Sequence, residues 1–242
     1  MKIIGKTDIG KQRVRNEDAF RFGEFDDGAS WGVVCDGMGG VHGGMIASKI
    51  AIDTVSNKIQ LCYTPTMPVT SFENLLLSAI TTANVSVFDR GLYDESLKGM
   101  GTTIVAAIVK NSTACIAHVG DSRAYKISGD KIEQITKDHS LVQQMLDIGQ
   151  ITQQEFEHHP IKNIITRAMG IAEEIDIDFD FVEINEGDAI LICTDGLSGQ
   201  VEKEKLLEIY NNSEFDEIAD KYIQAANDNG GVDNITVVVM KG

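Results

Sequence analysis

Apolar residues fall into two kinds of pattern along the chain. Short continuous runs rich in Val, Ile and Ala, bounded by Gly, Asp and Asn, read as buried strands. They are WGVVCD (31–36), GTTIVAAIVK (101–110), TACIAHVG (113–120), RAYKIS (123–128), AILICTD (189–195) and NITVVVM (234–240). Longer stretches at 43–61, 71–95 and 202–228 place apolar residues three and four apart and predict helices, with a shorter one at 140–150. IDIDFDFVEI (175–184) alternates instead. Ile175, Ile177, Phe179 and Phe181 share one face, and Asp176, Asp178 and Asp180 share the other. That predicts a half-buried strand whose solvated acidic face protects an edge. Runs of strands with hairpin-length gaps such as KNS (110–112), punctuated by helix pairs, predict antiparallel sheet rather than a doubly wound parallel one.

No repeat, low-complexity tract or linker divides the 242 residues, so one domain is expected over 1–242. Two of the three prolines, Pro65 and Pro68, mark a loop between the first two helices, and Pro160 is the third. No stretch approaches the roughly 20 apolar residues of a membrane span. The first residues, MKIIGKTDIGKQRVRNED, lack the apolar core of a signal peptide, which fits a cytoplasmic protein. Cys35, Cys62, Cys115 and Cys193 form no C-x-x-C pair and read as reduced thiols.

Charge changes the picture more. There are 21 Lys and Arg against 37 Asp and Glu, a net of −16. A phosphate backbone or an anionic membrane surface is a poor partner for such a chain. Residues 168–202 hold ten acids and no Lys or Arg, most of them expected on solvated strand face and turn.

Four acids sit where a surface charge is unexpected. Asp36 follows WGVVC and precedes a glycine cluster, Asp195 follows AILICT, Asp121 follows IAHVG, and Asp233 opens the last strand. An isolated carboxylate at the end of a core strand pays a desolvation cost. Converging carboxylates repel one another unless divalent cations bind them. An all-oxygen set suits Mg²⁺ or Mn²⁺ rather than zinc. The adjacent His158 and His159 read as solvated loop. Arg13 and Arg15, followed at once by Asn16, Glu17 and Asp18, have the makings of a phosphate clamp beside metals.

TDIGKQRVRNEDA, VVCDGMGG, GMGTTIVAAIV, AHVGDSRAY, ITRAMG, LICTDGL and DNITVVVM, in this order over residues 3–240, resemble the PPM family. These are the metal-dependent protein serine/threonine phosphatases of type 2C, and the chain is similar to a short bacterial member. The resemblance implies an α+β fold: a four-layer α-β-β-α sandwich of two central antiparallel sheets flanked by antiparallel helix pairs. It implies that Asp36 bridges two Mn²⁺ or Mg²⁺ ions, one of which the Gly37 carbonyl also binds. Asp195 and Asp233 complete the first ion's ligands, and Glu17 and Asp18 hold metal-bound water. Asp121 takes a third ion, Arg13 grips the substrate phosphate, and residues 140–170 form a flap. Two positions depart from the family pattern. Met38 stands where some members carry a proton-donating His, and Met45 where the glycine motif usually continues to a Glu.

Hydroxide generated between two metals would attack phosphorus directly, in line with the departing serine or threonine oxygen, while Arg13 neutralises the equatorial oxygens. No Cys or Ser stands in a nucleophile motif, and Ser122 has no visible His-Asp partner. The expected partners are phosphorylated proteins and an opposing Ser/Thr protein kinase, with the enzyme a monomer. The alternatives are a weakly catalytic phosphoprotein-binding pseudophosphatase, a stress-response phosphatase specific for one regulator, and a two-metal nuclease. The intact acid set disfavours the first, the absence of room for a sensor domain the second, and the net charge the third.

Overall fold

Two five-stranded sheets form the centre of the molecule. The computed structural model describes residues 1–242 apart from Val41, His158 and the side chain of Glu157. One sheet runs β1 (Lys2–Asp8), β12 (Ile235–Lys241), β11 (Ala189–Cys193), β8 (Arg123–Ser128), β9 (Lys131–Gln134). The other runs β10 (Asp178–Glu183), β7 (Thr113–Val119), β6 (Ile104–Lys110), β3 (Ser30–Cys35), β2 (Ala19–Glu24). All pairings are antiparallel. A two-stranded ribbon, β4 (Gly37–Met38) with β5 (Gly101–Thr102), extends one end.

The apolar runs are continuous because these strands are buried on both faces. In β6, Ile104, Ala106 and Ile108 face outward to α1 (Gly43–Cys62) and α2 (Phe72–Tyr93), while Val105, Ala107 and Val109 face the opposite sheet. In β12, Val238 and Met240 point between the sheets, and Ile235, Val237 and Val239 point to α6 (Lys203–Asn211) and α7 (Ile218–Asp228). Each fully buried Val or Ile contributes roughly 1.5–3 kcal/mol. Three apolar layers thus separate four structural layers, helices–sheet–sheet–helices, as expected for the α-β-β-α sandwich. The sheets approach so closely at Gly32 that a Cβ there would lie 3.1 Å from Val238 Cγ1.

Several boundaries differ from expectation. The run 101–110 is two strands, because Thr103 leaves the ladder to donate its N–H to the Asp36 carbonyl (2.9 Å). The 202–228 helix is α6 and α7, separated by Asn212–Ser213 and a short 3-10 turn (Phe215–Glu217); the apolar period runs through the break because Phe215 also packs on the sheet. The 140–150 segment yields α3 (Leu141–Asp147), whose N-cap Ser140 accepts from the Gln143 N–H. α4 (Gln153–Glu157) follows it, and α5 (Asp195–Ser198) starts at the end of β11.

The acidic strand is corrected most. β10 lies at an edge, and Ile175, Ile177 and Phe179 pack on the core as expected, but Phe181 on the same face is 48% exposed and Asp178 and Asp180 share the sheet-facing side with Val182. Asp178 accepts from Arg167 (2.7 Å), and Asp188, also in the acid-rich window, is buried against Lys126 (3.2 Å). That window is therefore partly internal pairing and not simply solvated surface. Cys35, Cys115 and Cys193 are buried free thiols, and Cys62 is an exposed one. Among the described residues, no helix is long and apolar enough to cross a membrane.

Candidate active site

Antiparallel pairing puts the end of one strand beside the start of the next. Cys35, at the end of β3, pairs with Ala19 at the start of β2; Cys193, ending β11, pairs with Arg123, which starts β8. Asp18, Asp36, Asp121, Asp195 and Asp233 therefore meet at one end of the sandwich. Asp36 feels Asp18, Asp195, Asp121 and Asp233, and Asp195 feels Asp233.

Backbone clamps hold the acids in place. The Asp36 N–H donates to Thr103 Oγ1 (3.0 Å), and the Thr102 hydroxyl donates to the Asp36 carbonyl (2.8 Å). Thr103 and Ser122 hydroxyls touch at 2.7 Å, so the buried Ser122 is structural, tying the Asp121 turn to Asp36. The Gly37 N–H donates to the Glu17 carbonyl (3.2 Å). A Cβ on Gly37 would collide with the Gly44 carbonyl, which explains the glycine: the first turn of α1 packs backbone on backbone here. Asn234 Oδ1 accepts from the Glu17 N–H (2.8 Å), and its Nδ2 donates to the carbonyls of Ile9 and Arg15, pinning the 9–17 loop to the start of β12.

The electrostatics are unfavourable for bare carboxylates. Burial and the neighbouring Asp195 and Asp233 push Asp18 up to about 7, against the hydroxyls of Thr236 and Thr194. Burial, Asp195 and Asp138 push Asp121 up to about 8. Burial raises Asp36 well above the carboxylate range, with Asp18 and Asp195 adding to it, and burial and Asp233 raise Asp195. Burial raises Glu17, offset by Arg13 and Arg15. Oδ1 of Asp18 and Oδ1 of Asp195 are buried without a hydrogen-bond partner. Unpartnered carboxylate oxygens among mutually repelling acids fit hard divalent cations.

Arg13 reaches this cluster. Its Nη2 lies 2.6 Å from Asp233 Oδ2, its Nε donates to the Val232 carbonyl, and the side chain is half exposed. Arg15 lies against His42, with Nη1 2.9 Å from Nδ1. Met38 is half-buried in β4, and Met45 is exposed on α1. Arg123 of the GDSR turn is locked on Asp138 through Nε and Nη2 (2.6–3.1 Å). A cleft of about 620 Å³ leads off the site, lined by Asp121, Asp195, Gln143, Phe156, Lys162 and Lys203.

His118, His139 and Asp178 also bring metal-type ligand atoms together. The geometry there favours a clamp. His139 Nδ1 accepts the Gly120 N–H (3.1 Å), and its Nε2 lies 3.2 Å from both Asp178 Oδ2 and Arg167 Nη1. Arg167 already supplies the cation to Asp178. Of the histidine pair read as loop, His158 lies outside the described residues, and His159 Nδ1 accepts from the Ile161 N–H.

Residues 4–238 match the model of the protein phosphatase 2C family. The chain belongs to this family. As a family member it is a metal-dependent protein phosphatase. The serine/threonine phosphatase stp of Listeria innocua is 38% identical over 240 residues, covering 98% of this chain and 94% of that protein. The crystal structure of the serine/threonine phosphatase Stp1 from Staphylococcus aureus matches with a TM-score of 0.93 at 34% identity, covering 100% of this chain and 95% of that one. The catalytic domain of the phosphatase PstP, in complex with two manganese ions, matches with a TM-score of 0.86 at 31% identity, covering 98% and 96%.

Thr102, Thr103, Thr194, Thr236 and Asn234 were not singled out by sequence reasoning. For Thr194, Asn234 and Thr236 the only signal is adjacency, each lying within three residues of an acid in CTDG and DNIT; Thr102 and Thr103 in GTT have none.

Proposed function

We propose that this phosphatase hydrolyses phosphoserine and phosphothreonine in proteins at a dinuclear Mn²⁺ or Mg²⁺ centre. Asp36, the Gly37 carbonyl, Asp195 and Asp233 would hold the two ions, Glu17 and Asp18 the surrounding water, and Asp121 a third ion. The observation that carries this reading is the convergence of five acids with two buried, unpartnered carboxylate oxygens. The manganese complex of PstP supports it by analogy. The whole chain acts as one catalytic domain, with 140–170 as a flap over the cleft. It works as a monomer in the cytoplasm, opposing a Ser/Thr protein kinase, without nucleic-acid or membrane partners.

Divalent cations bound there supply Lewis acidity, making water nucleophilic and neutralising phosphoryl charge. The chain's own residues supply the rest. The clamps on Asp36 from Thr102 and Thr103 fix the carboxylate that all the others face. Arg13 stands at the mouth with Nε on the Val232 carbonyl and Nη2 on Asp233, so its Nη1 donors would meet a phosphoryl oxygen there. Met38 has no proton to give a leaving oxygen, so that proton comes from solvent or from the acid cluster.

Turnover of p-nitrophenyl phosphate and of a phosphothreonine peptide, assayed with Mn²⁺ and with EDTA, tests the reading. Hydrolysis of both substrates with Mn²⁺ and its loss in EDTA is expected. Undiminished hydrolysis in EDTA overturns the metal centre, and peptide binding without hydrolysis at any Mn²⁺ or Mg²⁺ concentration favours the pseudophosphatase. Arg13→Ala is expected to raise KM for the peptide by roughly tenfold or more, the worth of a charge-assisted hydrogen bond, while kcat changes less. An unchanged KM in a steady-state titration removes Arg13 from the phosphate site.

A further inference from the structure

Asp18 is held on one side only. Its Oδ2 accepts from Thr194 Oγ1 (2.8 Å) and from Thr236 Oγ1 (2.6 Å), while Oδ1 is buried with no partner. The two hydroxyls can be assigned a direction. Thr194 Oγ1 already accepts the Thr236 N–H (3.0 Å), and its own proton goes to Asp18. The single Thr236 hydroxyl proton also goes to Asp18, so in the 2.7 Å contact between Thr236 and Thr7 it is Thr7 that donates. Thr7 in turn accepts from Asn16 Nδ2 (2.8 Å), and Asn16 Oδ1 accepts the Asp18 N–H (3.1 Å). The ring closes with every donor pointed toward Asp18 Oδ2.

Thr194 gives up a local role to do this. It occupies the N-cap of α5, where a threonine hydroxyl ordinarily satisfies a helix N–H, yet it makes no such bond. Thr236 sits on the sheet-facing side of β12, where an isosteric valine would suit the apolar layer formed by Val34, Ile192 and Val238.

We propose that Thr194 and Thr236 are positioning residues that fix the Asp18 carboxylate so that its Oδ1 faces the metal-binding acids. The inference rests on the metal-centre reading above. With both hydroxyls on Oδ2, the carboxylate cannot turn without breaking two hydrogen bonds. Outer partners of this kind typically change metal affinity by about 10–100-fold when removed.

The test is calorimetric titration of Mn²⁺ into the EDTA-stripped full chain, together with kcat and KM on a phosphothreonine peptide at saturating Mn²⁺. Thr236→Val and Thr194→Val are each expected to weaken Mn²⁺ binding about tenfold and to lower kcat more than they raise KM. Thr236→Ser, which keeps the hydroxyl, is expected to restore wild-type affinity. The two valine variants are also expected to melt a few degrees lower without metal, because each leaves a buried polar group without its partner, whereas Thr236→Ser stays near wild type; a purely structural role would stop there and leave Mn²⁺ affinity alone. Wild-type affinity in Thr236→Val overturns the proposal, and if that variant does not fold, wild-type affinity in Thr194→Val does so. Asp36→Asn separates the two levels of inference. If it also binds Mn²⁺ like wild type, the metal centre itself is misassigned. If it loses binding while the threonine variants keep theirs, only the positioning role fails.

Discussion

Asp36→Asn lowers kcat/KM at saturating Mn²⁺ by roughly a thousandfold or more, and Asp195→Asn does nearly as much. Bound cations supply several kcal/mol of charge stabilisation to a phosphoryl transition state, and about 4 kcal/mol is a thousandfold in rate. Asp36 is the acid that feels Asp18, Asp195, Asp121 and Asp233 together, so its charge is the one the ion set can least spare. Asparagine keeps its shape and the backbone clamps from Thr102 and Thr103. Without metal, the variant should be more stable than wild type at neutral pH, because it removes a carboxylate that burial and its neighbours disfavour. The two readouts move in opposite directions, which no general folding defect reproduces. Activity of Asp36→Asn within tenfold of wild type at saturating Mn²⁺ would remove Asp36 from the centre of the mechanism.

What the sequence could show depended on how far each partner lay along the chain. The core strands β3, β7, β11 and β12 were legible because burial on both faces leaves unbroken apolar runs. Asp36, Asp121, Asp195 and Asp233 were legible because each breaks such a run at its end. β1, β2 and β9 were not, since their residues are half-exposed and mix Lys, Arg, Glu and Gly with apolar positions. The hydroxyls on Asp18 were hidden for another reason. Thr is an ordinary strand residue, and Thr236 meets Asp18 across 218 positions of chain. The acidic window misled in part: composition cannot show that Asp178 meets Arg167 or that Asp188 is buried on Lys126. A cluster of converging acids is thus partly readable from misplaced charge, whereas the hydroxyls bonded to those acids become visible only in the fold.

The same misplaced charge predicts an unusual pH dependence. The melting temperature of the EDTA-stripped protein falls as pH rises from about 5 to about 8, by more than about 10 °C. In the folded state Asp18 titrates near 7 and Asp121 near 8, and Asp36 and Asp195 are also raised, whereas the same groups in the unfolded chain titrate near 3.8. Below about pH 4 both states hold these protons, and the full contribution to stability is present. Above it the unfolded chain releases them first, so each pH unit costs about 1.4 kcal/mol per group until the folded pKa is passed. Groups such as Asp27, held near 2 by the Tyr63 hydroxyl and Lys110, act with the opposite sign and lose their contribution as pH falls from about 4 toward 2, which places the metal-free optimum near pH 4. Saturating Mn²⁺ reverses the slope, because cations take the place of protons and bind best where the carboxyls ionise. Its stabilising effect should therefore be large at pH 8 and small at pH 5. General repulsion in a chain of net charge −16 also grows with pH, so Asp36→Asn is the control. If the acid cluster causes the slope, this variant flattens it measurably. If the whole surface causes it, removing one carboxylate among 37 acids leaves it unchanged. A metal-free melting temperature that rises between pH 5 and pH 8 would show that the converging acids are not protonated in the fold.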